Sequence, residues 1–359
     1  MILVLLQDMK NLISLFLAVA ACAMHADACT SVIVSARASA TGRPLLWKHR
    51  DTGAPGNFVA RVPATDTTTG YTALFNDGDS LMTEAWMGMN DTGFAIMNTA
   101  SYNLAPDTAR LKDREGAVMT LALGRCATVD DFGRMLDSLP RPMGVQANFG
   151  VIDACGGAAY FETDDGGFRR FDVADDPRGY MIRTNYSVSG VPGEGMGYIR
   201  HVAAEHLTDS IMRSRGGLAP ESFTEGLSRS FFHGLTLCDH MAAGCRYVTD
   251  NDFIPRDIST SSIVIEGVNS PAEASDMNMW TALGYPPVAA VGRVTLDSIP
   301  EGMGADAQWT SPLCRSANAV RDAARPFKGG SGRKYLNLWL LHDAIADAHR
   351  RSMEVYNRR

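Results

Sequence analysis

The stretch Ala26-Asp27-Ala28-Cys29-Thr30-Ser31-Val32-Ile33-Val34 decides how the whole chain is interpreted. An Ala-x-Ala tripeptide is typical of the cleavage site at the end of a secretory signal peptide. Cleavage after Ala28 gives a chain that begins with Cys29, so a thiol and a free α-amino group belong to one residue. Because an α-amino group titrates near pH ~8, it can accept the proton of that thiol. The stretch therefore predicts a nucleophile and its base at one position, directly before an apolar strand.

The residues before this stretch are organised like an export signal. From Met9 onward, a basic start is followed by the apolar run 12–23 and the Ala-x-Ala exit. Asp8 is unusual inside a signal, which makes Met9 an alternative start of translation. We therefore expect residues 1–28 to be a signal peptide and residues 29–359 to form one periplasmic or secreted domain without a membrane span. A lipoprotein site that lipidates Cys22 is a second hypothesis.

Composition excludes several classes of protein. The chain has 359 residues, of which 45% are apolar and 20% are charged, as in an ordinary globular protein. Its formal net charge is −7, so it lacks the basic surface expected of a protein that binds nucleic acid or an anionic membrane. The sequence leaves the oligomeric state open, and a homo-oligomer is one of the alternatives.

The cysteines are too few for a disulfide scaffold. Cys238 and Cys245 are close enough in sequence for a bridge in an oxidising compartment. Together with His233 and His240 they are an alternative metal cluster, although their spacing matches no common zinc pattern. Cys126 and Cys155 are expected to be small buried residues rather than reactive ones.

Extended segments dominate the first part of the chain. Residues 31–34 and 45–47 flank a turn at 40–44 and predict a hairpin that brings Lys48, His49, Arg50 and Asp51 close to Cys29. The turn 90–93 predicts a second hairpin that ends at Asn98, between segments 84–89 and 94–98. Other strands are expected at 58–62 and 71–75, and a four-stranded meander at 149–153, 158–163, 167–173 and 180–185.

Helical periodicity separates the two groups of strands. Helices are expected at 115–126, at 129–139 with a capping box formed by Thr128 and Asp131, and at 198–213, 221–232 and 334–356. The later strands are expected at 261–266, 279–283 and 288–294. This pattern favours an α+β domain in which helices cover two stacked antiparallel sheets.

Four motifs occur in an order that is known from one group of enzymes. They are Cys29-Thr30, GRPLLWKHRD at 42–51, GMNDTGFA at 88–95 and RTN at 183–185. In this the chain resembles the N-terminal-nucleophile (Ntn) hydrolases that include choloylglycine hydrolases, penicillin V acylases and acyl-coenzyme A:6-aminopenicillanic acid acyltransferase-like enzymes. The resemblance extends from Cys29 to about residue 200, and more weakly through GYP at 284–286.

The resemblance implies an αββα sandwich and attack of Cys29 on a linear amide through a thioester. It also implies that Asp51 holds the α-amino group and tunes its basicity. The group usually has Arg-Asn-x-Asp where this chain has Lys48-His49-Arg50-Asp51. The basic partner of the nucleophile is therefore Lys48 by position or Arg50 by side-chain type.

The resemblance further implies roles for three residues around the reacting carbonyl. Asn185 matches an asparagine whose side chain binds the oxyanion, and Asn98 matches another that contributes to the same hole. Arg200 matches an arginine near the nucleophile, although an arginine that opens a helix is commonly a surface residue. We expect no cofactor and no metal in this mechanism.

Several alternatives stay open on sequence alone. With the same site, an amine that replaces water as acceptor makes the protein an acyltransferase rather than a hydrolase. A noncatalytic lipidated binding protein and a papain-like peptidase that uses His49 are further hypotheses, the last without papain-type sequence context. The predicted substrate is a small N-acyl amide. The aromatic and apolar residues near the motifs either line its cleft or belong to the core, namely Trp47, Phe58, Trp86, Met87, Tyr102 and Tyr186.

Overall fold

Two antiparallel sheets stack face to face in the structure, a computed structural model that describes residues 28–106, 108–249, 252–330 and 334–358. The predicted signal peptide up to residue 27, with Cys22 inside it, lies outside the described residues. The first sheet contains β1 (Thr30–Val34), β2 (Leu45–Asp51), β10 (Tyr180–Arg183), β14 (Ser259–Glu266), β15 (Asn278–Leu283) and β16 (Gly292–Val294). Their order across the sheet is β10-β1-β2-β14-β15-β16.

The second sheet is a meander in which every strand pairs with the next along the chain. Its seven strands are β3 (Asn57–Val62), β4 (Tyr71–Asn76), β5 (Met87–Asn90), β6 (Ala95–Ala100), β7 (Ala147–Ile152), β8 (Ala158–Thr163) and β9 (Phe168–Asp172). Two short pairs lie outside the sheets, formed by β11 (Phe232–His233) with β12 (Cys238–Asp239) and by β13 (Tyr247–Val248) with β17 (Leu336–Asn337).

Helices cover both outer faces of the stacked sheets. They are α1 (Glu115–Arg125), α2 (Val129–Ser138), α3 (Tyr198–Arg215), α4 (Pro312–Ala323) and α5 (Leu338–Tyr356). Helices α1 and α2 share a buried cluster with the second sheet, and α3, α4 and α5 share one with the first sheet. A third cluster fills the space between the sheets. The αββα sandwich expected from the sequence is confirmed.

The alternation of side chains explains why β1 is buried on both faces. Val32 and Val34 belong to the helix-side cluster, whereas Ile33 belongs to the cluster between the sheets. Leu46 and Trp47 divide in the same way in β2. Because successive residues of a strand point to opposite faces, an uninterrupted apolar run fits a strand with a core on each side.

The predicted first hairpin is confirmed, and it positions the polar run at the end of β2 beside Cys29. Thr30 lies opposite His49 in the β1–β2 ladder. β1 is an inner strand, since β10 pairs with its other edge. The capping box is also confirmed, because Thr128 and Asp131 each accept a hydrogen bond from the other's backbone N–H.

Some predicted elements are wrong. Residues 180–183 do not continue the meander. β9 carries the exposed Arg169 and Arg170 and ends the second sheet, and β10 crosses to the first sheet.

The predicted helices also differ from the structure. Residues 222–229 form a π turn and a 3₁₀ turn rather than an α-helix. The last helix begins at Leu338, where Asn337 is the N-cap, and helix α4 was not predicted. Cys126 is buried as expected, but Cys155 is exposed.

Within the described part of the chain, none of the helices has the length and apolarity needed to span a membrane.

Candidate active site

Cys29 lies at the entrance to β1, in the middle of the first sheet. It is buried, and its backbone N–H donates to Asn185 Oδ1 at 3.0 Å. Its Sγ lies 4.0 Å from the backbone carbonyl oxygen of Asp51. The preceding residue continues the ladder, because the N–H of Ala28 donates to the same carbonyl at 3.1 Å. The thiol and the nitrogen of Cys29 are therefore held by the ends of β2 and β10.

Arg200 reaches Cys29 from the first turn of α3. Its Nη1 donates to Cys29 O at 2.7 Å and to Thr30 Oγ1 at 3.0 Å, and its Nη2 donates to Asn185 Oδ1 at 2.6 Å. The side chain is 1% exposed, so this arginine is not a surface residue. Burial, reinforced by the charge of Arg256, lowers the pKa of Arg200 to about 10, which leaves the guanidinium charged at neutral pH.

Gly197 lets Arg200 turn inward. It precedes α3 with a φ of +87°, in the left-handed region that glycine adopts without a steric cost. A Cβ at this position would lie 2.6 Å from Arg200 Nη2 and 2.9 Å from Thr184 Oγ1. The chain therefore needs glycine here for both its backbone conformation and the space beside the guanidinium.

Asn185 follows β10 and uses both ends of its amide. Oδ1 accepts from Cys29 N and from Arg200, and Nδ2 donates to Ala100 O at 2.9 Å. The resemblance implied that this side chain donates to an oxyanion. In the structure the oxygen of this amide accepts from the nitrogen of Cys29, so Asn185 lies at the predicted site.

Asp51 ends β2 and is completely buried. Its Oδ1 accepts from Ser259 Oγ at 2.6 Å, and His49 Nε2 lies 3.7 Å from the same oxygen. Burial raises the pKa of Asp51 to about 7, although the charges of Arg256 and Arg200 act in the opposite direction. A carboxyl group with this pKa changes its protonation state at the pH of most cellular compartments.

Lys48 and Asn98 form a buried pair that lies between the two sheets. Lys48 Nζ donates to Asn98 Oδ1 at 2.7 Å and to Trp86 O at 2.9 Å. Because the ammonium takes the oxygen of the Asn98 amide, the Nδ2 end of that amide is turned the other way. Arg50 lies nearby, where its Nη2 donates to Asn76 Oδ1 at 2.8 Å and its guanidinium stacks over Trp86 at 4.8 Å.

A cavity of about 710 Å³ opens beside these residues. Five of the predicted site residues line it, namely Cys29, Lys48, Arg50, Asp51 and Asn98. The rest of its wall is formed by Trp86, Ala100, Ser101, Tyr102, Leu104, Pro106, Lys112, Asp113, Glu115, Gln146 and Glu194. Asn185 and Arg200 bind Cys29 from behind this wall.

Only two of the proposed cleft residues line the cavity, Trp86 and Tyr102. Trp47, Phe58 and Met87 belong to buried clusters of the core. Tyr186 stacks on Tyr198 at 4.2 Å between ring centroids. The cavity wall is therefore more polar than the sequence suggested.

Ser259 is a site residue that the sequence analysis missed. It follows no motif, but it opens the run Ser259-Thr260-Ser261-Ser262, which is polar and yet buried in β14. Four consecutive hydroxyl residues at the start of an apolar strand are the pattern that could have indicated it, since buried hydroxyls need hydrogen-bond partners.

The alternative metal cluster does not form. The rings of His233 and His240 lie 5.8 Å apart with Phe253 against both, and Cys238 and Cys245 are separate thiols. Among the residues that the structure describes, no group of three or more His, Cys, Asp or Glu side chains is placed to hold a metal ion.

Comparison with known proteins gives distant structural likenesses. No family model and no curated protein matches the chain. Similar solved structures include a mutant conjugated bile acid hydrolase from Clostridium perfringens, which is 10% identical, with 76% of this chain and 95% of that chain covered and a TM-score of 0.46. A Caenorhabditis elegans N-acylethanolamine-hydrolyzing acid amidase ortholog is 12% identical, with 66% and 92% covered and a TM-score of 0.44.

A penicillin V acylase from Agrobacterium tumefaciens is 14% identical, with 77% of this chain and 89% of that chain covered and a TM-score of 0.39. At these identities and TM-scores the likenesses say nothing of the activity or the substrate.

Proposed function

We propose that this chain is an exported hydrolase of linear amide C–N bonds in N-acyl compounds, with Cys29 as an N-terminal nucleophile. The observation that carries the proposal is that a cavity and two buried side chains meet at Cys29. Cys29 lines a cavity, its nitrogen is bound by Asn185, and its carbonyl is bound by the buried Arg200. These contacts hold the main chain of one cysteine, a placement that a purely structural cysteine does not require.

Removal of residues 1–28 would turn the nitrogen of Cys29 into an α-amino group. Asn185 Oδ1 already accepts one hydrogen from this nitrogen, and Asp51 lies beside it through its backbone carbonyl. A neutral amine at this position can take the thiol proton, and we assign the Asp51 carboxylate to stabilise the ammonium that results. The free amine thus supplies the base, and no separate histidine is needed.

Charge that develops on the substrate carbonyl oxygen needs donors that are already in place. Asn98 is our candidate, because it lines the cavity and Lys48 fixes the orientation of its amide. The positive charge of Lys48 behind that amide strengthens the donor. We assign Lys48, rather than Arg50, as the basic residue of the oxyanion site for this reason.

The reaction proceeds in two acyl transfers. The Cys29 thiolate attacks the amide carbon, the C–N bond breaks, and the α-ammonium group protonates the departing amine. Water then attacks the thioester with the same amine as base, which releases the acid and restores the thiol. A cavity of about 710 Å³ is within the range of roughly 300–1,000 Å³ that small-molecule sites occupy.

N-terminal sequencing and the intact mass of the exported protein test the first requirement, a chain that begins at Cys29. Incubation with a panel of N-acyl amides, followed by mass spectrometry after a rapid acid quench, tests the chemistry. We expect an acyl adduct on Cys29 that is absent from Cys29→Ala. Cys155→Ser is the matched control, because Cys155 is exposed and outside the cavity wall, and it should keep full turnover.

Two results would contradict the proposal. One is an active protein that retains residues before Cys29, and the other is undiminished turnover by Cys29→Ala. Amines added to the assay distinguish transfer from hydrolysis, because an acyltransferase would form a new amide in place of the free acid.

A further inference from the structure

The Ser259 hydroxyl stands at the centre of three buried hydrogen bonds. Oγ donates to Asp51 Oδ1 at 2.6 Å, accepts from the N–H of Arg256 at 2.8 Å and lies 3.0 Å from His49 Nε2. A hydroxyl has one hydrogen and two lone pairs. When Asp51 is ionised, His49 must therefore be the donor, which assigns the imidazole proton to Nε2. Ser259 then has its full complement of hydrogen bonds.

The sheet fixes this arrangement. His49 and Asp51 are two residues apart in β2, so their side chains point to the same face. Ser259 lies opposite Asp51, and a β-bulge separates it from the regular β2–β14 pairing that begins at Ser261 and Arg50. Since a bulge re-aims the residues beside it, Ser259 is turned toward the carboxylate. All three side chains are fully buried.

The two oxygens of the Asp51 carboxylate differ in their surroundings. Oδ1 is held by Ser259, whereas Oδ2 is buried and has no hydrogen-bond partner among the described residues. Buried acceptors without partners are rare in folded proteins. The backbone carbonyl of the same residue accepts from the N–H of Ala28 and lies 4.0 Å from the Cys29 thiol, so Asp51 lies beside the start of β1.

We propose that His49 and Ser259 are positioning residues that hold Asp51 Oδ1, so that Oδ2 meets the α-ammonium group of processed Cys29. This inference rests on the proposed function, and it adds two residues that do not touch substrate. It also explains a histidine in the motif at 48–51 without giving it the role of a base.

The charges around Asp51 set the direction of the expected effect. Arg200 faces it from α3, and Arg256 and Asp257 face it from the segment before β14. Burial, with Arg200 and Arg256, lowers the pKa of His49 to about 3, so the ring stays neutral at working pH. The Ser259 hydrogen bond favours ionised Asp51. Its loss therefore raises the pKa of Asp51 and moves any activity that needs the carboxylate to higher pH.

The test compares pH profiles of the processed enzyme and its variants. In Ser259→Ala and His49→Leu we expect the ascending limb of kcat/KM to move up by about one pH unit, with kcat at pH 7 about tenfold lower and KM nearly unchanged. His49→Gln keeps an N–H donor and should recover part of the loss. Ser261→Ala is the matched control, because the Ser261 hydroxyl is buried in β14 without a hydrogen-bond partner among the described residues.

A second readout does not depend on knowing the substrate. The rate of Cys29 alkylation by iodoacetamide, measured against pH, should show the same upward shift in Ser259→Ala and none in Ser261→Ala. If wild type forms no acyl-enzyme with any amide, the proposed function fails, and alkylation still tests the positioning role. Ser259→Ala and Ser261→Ala profiles with equal midpoints would overturn the inference, even if Ser259→Ala melts at a lower temperature.

Discussion

Asp51→Asn should make the folded protein more stable at alkaline pH while it removes activity. Burial raises the pKa of Asp51 from 3.8 to about 7. Because the folded chain holds this proton more tightly than the unfolded chain does, the stabilising effect is complete below about pH 4 and is lost as the pH rises to about 7. The shift corresponds to at most about 4 kcal/mol of unfolding free energy above pH 7. Relaxation around the carboxylate reduces this, so we expect a gain of about 2 kcal/mol for Asp51→Asn.

Chemical denaturation between pH 4 and pH 9 measures this difference for the unprocessed chain, in which no α-ammonium group faces Asp51. The curves of wild type and Asp51→Asn should meet near pH 4 and separate steadily up to about pH 7, with the variant more stable. In the processed protein, kcat should fall by at least about 10²-fold. An Asp51→Asn protein that is less stable than wild type at pH 8 would refute the argument, since the carboxylate would then be net stabilising in its ionised form.

Asp165→Asn is the matched control for the direction of the change in stability. Burial raises the pKa of Asp165, but hydrogen bonds from Thr108 and Gly144 outweigh it, so the pKa lies below its ordinary value. Ionised Asp165 therefore stabilises the fold at neutral pH, and that contribution is lost as the pH falls below about 4. Asp165→Asn should be less stable than wild type at pH 8, opposite to Asp51→Asn.

Three further changes test the geometry of the site. Gly197→Ala places a Cβ 2.6 Å from Arg200 Nη2, so turnover should fall about 10²-fold. Gly193→Ala is the control, because Gly193 has a similar φ and a Cβ there would meet nothing within 4 Å, so this variant should keep wild-type turnover. Equal kinetics for the two variants would contradict the role of Gly197. Asn98→Ala should lower kcat by about 10²–10³-fold with little change in KM, and a change in KM alone would argue against an oxyanion donor. Glu162→Gln removes the negative charge that pairs with the buried Arg183 and should lower the free energy of unfolding by about 3 kcal/mol in chemical denaturation. A loss below about 1 kcal/mol would mean that solvent reaches this ion pair.

The sequence predicted the layers of the fold because its periodicities are strong. The uninterrupted apolar runs of β1 and β2, the turn at 90–93 and the capping box at Thr128 are local patterns with one structural outcome. The partner of β10 was not predictable in this way, because alternation within a strand says which face is buried and not which sheet it joins. The break at 222–229 was missed since its apolar spacing is helical and Gly226 alone does not specify a π turn.

The site was predictable where residues follow the motifs in order, as Cys29, Asp51 and Asn185 do. The contacts of those residues were not. Arg200 is buried because Gly197 turns α3 toward β1, and Ser259 meets Asp51 because a bulge shifts β14 by one residue. Both depend on pairings between segments more than a hundred residues apart. No short segment of the sequence therefore specifies these contacts.

The inner position of β1 has a consequence for when the surroundings of Cys29 are assembled. Cys29 contacts residues 51, 185 and 200, and residue 259 holds the carboxylate of Asp51, so the candidate site is assembled from segments spread along most of the chain. A growing polypeptide that has left the ribosome only as far as α3 carries the thiol but lacks β14, which supplies Ser259 beside Asp51. Such long-range closure is slow compared with local folding. A partial chain that ends before β14 therefore lacks part of the hydrogen-bonded surroundings of the candidate site.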